Sequence, residues 1–98
     1  MSENDGYTPS KLNINVTLGK LMDRLISIEK RIPLLVSAYR KYDTIAKSLP
    51  IDTEERHIAI HTSIYLMIRI GHLRQTHQDT LPQLYELLKQ KRLEERAR

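Results

Sequence analysis

LGKLMDRLISIEKRIPLLVSAYRKYDTIAKSL, residues 18–49, decides the architecture. Read in sevens, it carries an apolar seam at Leu18, Leu21, Leu25, Ile28, Ile32, Leu35, Tyr39, Tyr42, Ala46 and Leu49. The spacing alternates three and four residues without a break, the a/d pattern of helices packed knobs-into-holes. The stretch therefore predicts one long helix, about 48 Å if continuous at about 1.5 Å per residue. Pro33 interrupts it, because proline removes one ladder bond and clashes with the preceding turn. The seam keeps its phase across Pro33, so the expected outcome is a kinked helix and not two helices. Leu34, Leu35 and Val36 follow directly and put apolar groups on several sides of the bend.

Outward toward the N-terminus, the pattern weakens. Met1 to Pro9 is polar, without apolar periodicity, and reads as a flexible leader. Leu12, Ile14 and Val16 alternate with Lys11, Asn13 and Asn15 and suggest a short extended segment. Asn15 or Thr17 can cap the first helix. The predicted boundary thus separates a leader, 1–14, from a single helical domain, 15–98.

Toward the C-terminus, Leu49-Pro50-Ile51 ends the first helix. Asp52-Thr53-Glu54-Glu55 resembles a capping box, with Asp52 as N-cap, and opens a second helix expected to run to about His77. Ile60, Ile64, Met67, Ile68, Ile70 and Gly71 form its broad apolar face. Gly71 costs helix stability relative to alanine and suggests a close helix crossing. Thr80-Leu81-Pro82-Gln83 repeats the capping-box spacing and predicts a third helix with Leu81, Leu84, Tyr85, Leu87 and Leu88 inward. After Leu88 the chain turns basic. The expected fold is therefore all-α: a three-helix bundle with a long first helix kinked at Pro33 and coiled-coil-like packing.

Composition narrows the chemistry. The 98 residues hold no cysteine, tryptophan or phenylalanine, so disulfides and thiolate chemistry are excluded. The net charge of +4 is a mild basic excess. No apolar run approaches the roughly 20 residues of a membrane helix, and the start lacks signal-peptide character. These features lead us to expect a cytoplasmic protein, with the nucleus also open. The glycines, Gly6, Gly19 and Gly71, form no phosphate-binding loop. No serine has a nucleophile context, and the inward positions of the first helix are apolar or tyrosine. An enzyme is not expected, and neither are a cofactor or a small-molecule substrate.

Two constellations remain. His57 and His61 lie four residues apart, close enough to share a metal, with Glu54 one turn before. No second ligand pair accompanies them and the HExxH order is missing, so they read as packing residues bordering an apolar face, each with one nitrogen in water. Arg69 falls on a polar strip with Thr62 and Thr76. Binding is the remaining class of function. Three helices leave part of the seam and Met22, Ile26, Val36 and Ile45 uncovered, which predicts an interface. The expected interface residues are Leu21, Leu25, Ile28, Ile32, Leu35, Tyr39 and Tyr42. The expected partner is a second copy or another helical protein, with Arg24 near Glu29 of the other chain in a parallel pair. The rival reading is a DNA- or RNA-binding regulator gripping phosphates through Lys89, Lys91, Arg92, Arg96 and Arg98.

Overall fold

The computed structural model describes residues 11–97 as two helices, α1 (Lys11–Ser48) and α2 (Glu54–Arg96), folded back on each other as an antiparallel hairpin. The leader up to Pro9, Ser10 and Arg98 lie outside the described residues. The α-helical class stands; the three-helix bundle does not, because the expected second and third helices are one. The hairpin is long and thin, 68 × 29 × 15 Å in its principal extents.

α1 runs unbroken through Pro33, as its uninterrupted seam implied. It begins at Lys11, several residues before the expected cap, so the segment read as extended is helical instead. Ile14 explains this. It sits four residues before Leu18, one more step of the same seam, and is buried at 3% exposure.

α2 also runs through its proline, Pro82. Proline leaves the Gln78 carbonyl without its helical N–H and strains the turn before it. Side chains support that turn. Thr80 Oγ1 donates to Thr76 O at 2.6 Å, and Gln83 Nε2 donates to Asp79 O at 3.2 Å. Gln75 Nε2 donates to the Asp79 carboxylate at 2.9 Å. The Thr80 hydroxyl is therefore spent inside a helix and not on capping a new one. Packing decides the matter: Thr80 is 2% exposed, so its position belongs to the contact with α1.

The connection is short. Pro50 has no N–H to continue α1. Thr53, not Asp52, is the N-cap of α2; its hydroxyl accepts the Arg56 N–H at 3.3 Å and donates to Pro50 O at 2.8 Å. The Arg56 guanidinium reaches back and donates to Leu49 O at 3.1 Å, satisfying a carbonyl at the end of α1. Glu54 and Glu55 place negative charge at the positive end of the α2 dipole.

Two seams meet between the helices. That of α1 is the expected one, extended to Ile14. That of α2 follows the same alternation through Arg56, Ala59, Ser63, Leu66, Ile70, Leu73, His77, Thr80, Leu84, Leu87, Lys91 and Glu94, all buried or half-buried. The densest part lies away from the tip, where Ile14, Leu18, Leu21, Leu25 and Ile28 are buried. Burying each such side chain is worth about 1.5–3 kcal/mol. At the tip, Ala46 and Ala59 are both buried, small against small. Buried Ser63 donates to Ile60 O at 2.8 Å, so its hydroxyl enters the seam satisfied.

Candidate interaction surface

The register fixes which residues share a face. His77 Nε2 lies 2.8 Å from Glu29 Oε2. Val36 and Tyr39 line one groove with Met67 and Ile70. Each step along α1 is thus a step backward along α2. In an antiparallel pair, the residue after each inner seam position turns toward the same side on both helices.

On that side the stripe beside the seam reads Asn15, Met22, Glu29, Val36 and Asp43 on α1, and Ile60, Met67, Arg74, Leu81, Leu88 and Glu95 on α2. The next row outward reads Gly19, Ile26, Pro33, Arg40 and Lys47 on α1, and His57, Ile64, Gly71, Gln78, Tyr85 and Arg92 on α2. Met22, Ile26, Ile64, Met67 and Tyr85 are all exposed there. On the opposite side the corresponding stripe reads Thr17, Arg24, Arg31, Ala38 and Ile45, facing Thr62, Arg69, Thr76, Gln83 and Gln90. The stripe directly beside the seam is thus richer in apolar residues on the first side, which is called the apolar flank below, while charged side chains stand in the row outside it. On the opposite side Leu34, Ile58, Tyr65 and Leu93 are exposed apolar residues.

Midway along the apolar flank lies an open groove of 630 Å³, lined by Glu29, Ile32, Pro33, Gly71, Arg74, Gln75, His77 and Gln78. It adjoins a second of 420 Å³ toward the tip, which shares Gly71 and Arg74. The seam is least closed at this level: Ile32, Leu35, Tyr39 and Tyr42 are only half-buried. A Cβ added at Gly71 would meet nothing within 4 Å, so the expected close crossing at this glycine does not occur within the hairpin.

The seven residues expected to bind a partner are thus placed against α2 of their own chain. Leu21, Leu25 and Ile28 are fully covered, while Ile32, Leu35, Tyr39 and Tyr42 keep one edge open to the grooves. Sequence reasoning missed Ile60, Ile64 and Met67 as an outward surface, having taken them for the inner face of the second helix. The available signal was the α2 alternation through Ala59, Ser63, Leu66, Ile70 and Leu73. Arg24 and Glu29 fall on opposite flanks, and Glu29 meets His77.

The basic residues do not converge. Lys89, Arg92 and Arg96 are exposed, but Lys91 is half-buried in the seam. Lys89 and Arg96 sit on the back of α2, Arg92 turns to the apolar flank, and Arg98 lies outside the described residues. The end of α2 is not a projecting arm, since the register sets Lys91 level with Ile14. His57 and His61 are exposed near the tip. Among the described residues no group of three His, Cys, Asp or Glu side chains comes together. Lys47 and Asp43 form an exposed ion pair at 2.9 Å. The bond to the Asp43 carboxylate, then its charge, raises the Lys47 pKa. Among the described residues no helix is long and apolar enough to cross a membrane. No family model, curated protein or solved structure matches the chain.

Proposed function

We propose that this chain is a small non-enzymatic interaction module that binds another helical surface through the apolar flank of its hairpin. One observation carries the reading: along most of α2, and at Met22 and Val36 of α1, the apolar pattern occupies three of every seven positions, not two. A two-stranded coiled coil needs only the inner a and d stripes, whereas a helix in a larger bundle adds a third stripe beside them. Here the inner stripes are consumed within the chain, and Met22, Val36, Ile60, Met67, Leu81 and Leu88 supply the third. Interaction is thus assigned to the flank of the seam and not to its centre. The nucleic-acid reading has no comparable support, because its side chains point in different directions.

Two methionines on the flank provide a direct test. Met22 is 50% and Met67 52% exposed, so an oxidant should reach both in the bare hairpin. Intact cells and purified, diluted chain are treated with the same oxidant, and sulfoxide is quantified by mass spectrometry. Slower oxidation of both methionines in cells, relative to free methionine, is expected. Equal oxidation in the two settings, at the rate of free methionine, refutes the interaction reading.

A further inference from the structure

We infer that the occupant of this flank is a second copy of the chain, giving a two-fold four-helix bundle. In it, α1 of each copy lies on α2 of the other, with both hairpin tips at one end. The inference rests on the flank being a binding surface and adds the partner and its orientation.

Area favours a partner of this size. The chain exposes 7522 Å², where a compact monomeric protein of 11.5 kDa exposes about 5,800 Å². A standard interface removes about 800 Å² from each partner. The flank is one side of a hairpin whose longest extent is 68 Å; two helices of about 10 Å diameter side by side make a face about 20 Å across, large enough to supply that area. A second hairpin sets a helix over each of the two, whereas a single added helix covers only the groove between them.

Charge sets the orientation. At mid-length the stripe beside the seam holds an acid on α1, Glu29, and a base on α2, Arg74; its other charges are Asp43, paired with Lys47 of its own helix, and Glu95 at the open end of α2. Glu29 and Arg74 sit at nearly the same level, lining one groove. A two-fold axis parallel to the helices keeps every level and puts α1 over the partner's α2. Each Glu29 then meets the other copy's Arg74, twice per dimer. Met22 and Ile26 meet Leu81, Tyr85 and Leu88, and Val36 meets Met67. Neighbouring helices are antiparallel throughout. A two-fold axis perpendicular to the helices instead stacks α1 on α1 with tips at opposite ends. It sets Glu29 near Glu29 and Arg74 near Arg74, repulsions that make it the poorer solution. The two grooves face each other in the favoured arrangement. Arg74 side chains reach into that space, and open Gly71 leaves room for the opposing helix.

The test reads solution mass and a charge reversal in trans, on the full chain. Wild type should be a dimer across the micromolar range by light scattering. Arg74→Glu and Glu29→Arg should each weaken dimerisation at least about ten-fold, because symmetry doubles every like-charge contact. An equimolar mixture of the two variants should regain near-wild-type association, since both contacts in the mixed dimer are again opposite in sign. Helix content by circular dichroism checks that each variant keeps its hairpin, and rescue in trans cannot arise from a change within one chain. A second variant, Met67→Glu, should weaken the dimer and not be rescued by either partner. Dimerisation unaffected by the single reversals, or no rescue in the mixture, overturns the arrangement. A monomeric wild type overturns the second copy. If Met22 and Met67 are then still protected in cells, the binding flank survives with a different occupant; if they are not, both readings fall.

Discussion

Replacing Leu25 by alanine should destabilise the hairpin by about 2–3 kcal/mol, near the lower end of the 2–5 kcal/mol seen for buried Leu→Ala changes. Leu25 is 5% exposed, midway along the best-buried run of α1, between Leu21 and Ile28. The change deletes three carbons, each worth about 0.8 kcal/mol on burial. A cavity penalty adds to that, but two helices with a solvent-facing flank can close on the gap more easily than a deep core can. A chain of this length has total stability of only about 5–15 kcal/mol, so the loss is a large fraction of it. Urea unfolding followed by helical circular dichroism measures the effect, at one fixed protein concentration because association also contributes. The contrast is Met22→Ala, on the flank and half-exposed, which should cost under about 1 kcal/mol of hairpin stability. If the proposed dimer forms, the two variants should exchange rank when association is measured: Met22→Ala loosens it directly, whereas Leu25→Ala acts by unfolding. If Leu25→Ala leaves the urea midpoint unchanged, Leu25 is not between α1 and α2, and the register argued here is wrong.

One substitution and one truncation probe α2. Pro82→Ala restores a backbone N–H within an exposed stretch of helix, where proline costs about 3 kcal/mol relative to alanine. It should raise the thermal midpoint, with a gain of about 1–3 kcal/mol because the Thr80 and Gln83 side-chain bonds already offset part of the loss. A neutral or lowered midpoint would instead mean that a separate helix begins at Thr80, where proline is tolerated in the first turn. Removing residues 89–98 should uncover Ile14 and speed amide exchange across residues 14–21. Unchanged exchange there, together with a loss of salt-sensitive nucleic-acid binding, would revive the basic-arm reading.

The first helix was legible because every seam position from Leu18 to Leu49 carries an apolar side chain, tyrosine or alanine. A period with no exceptions carries across Pro33 without ambiguity. The second helix was not, for a reason that lies in its composition. Its inner positions include Ser63, His77 and Thr80, while its outward positions include Ile60, Ile64 and Met67. A search for the most hydrophobic face therefore selects the wrong side. Polar side chains can occupy this seam because it has only one layer. Ser63 and Thr80 return their hydroxyls to carbonyls of their own helix, and His77 meets Glu29 at the rim. With two polar side chains in succession before Pro82, the pattern resembles a loop followed by a cap.

The same inversion explains why the proposed binding surface differs from the expected one. Burial within the chain and burial against a partner both select apolar residues, and sequence alone does not assign a residue to one or the other. The assignment comes from register. Once His77 is placed against Glu29, the α1 seam has its complement in α2. Exposed apolar side chains occur on both flanks, with Leu34, Ile58, Tyr65 and Leu93 on the other side, but the stripe directly beside the seam is richer in apolar residues on one side, where Glu29 of α1 lies level with Arg74 of α2. In the dimer proposed above, the groove between them, where α1 and α2 fail to close over Ile32 and Tyr39, is the part of the core that the second hairpin would complete.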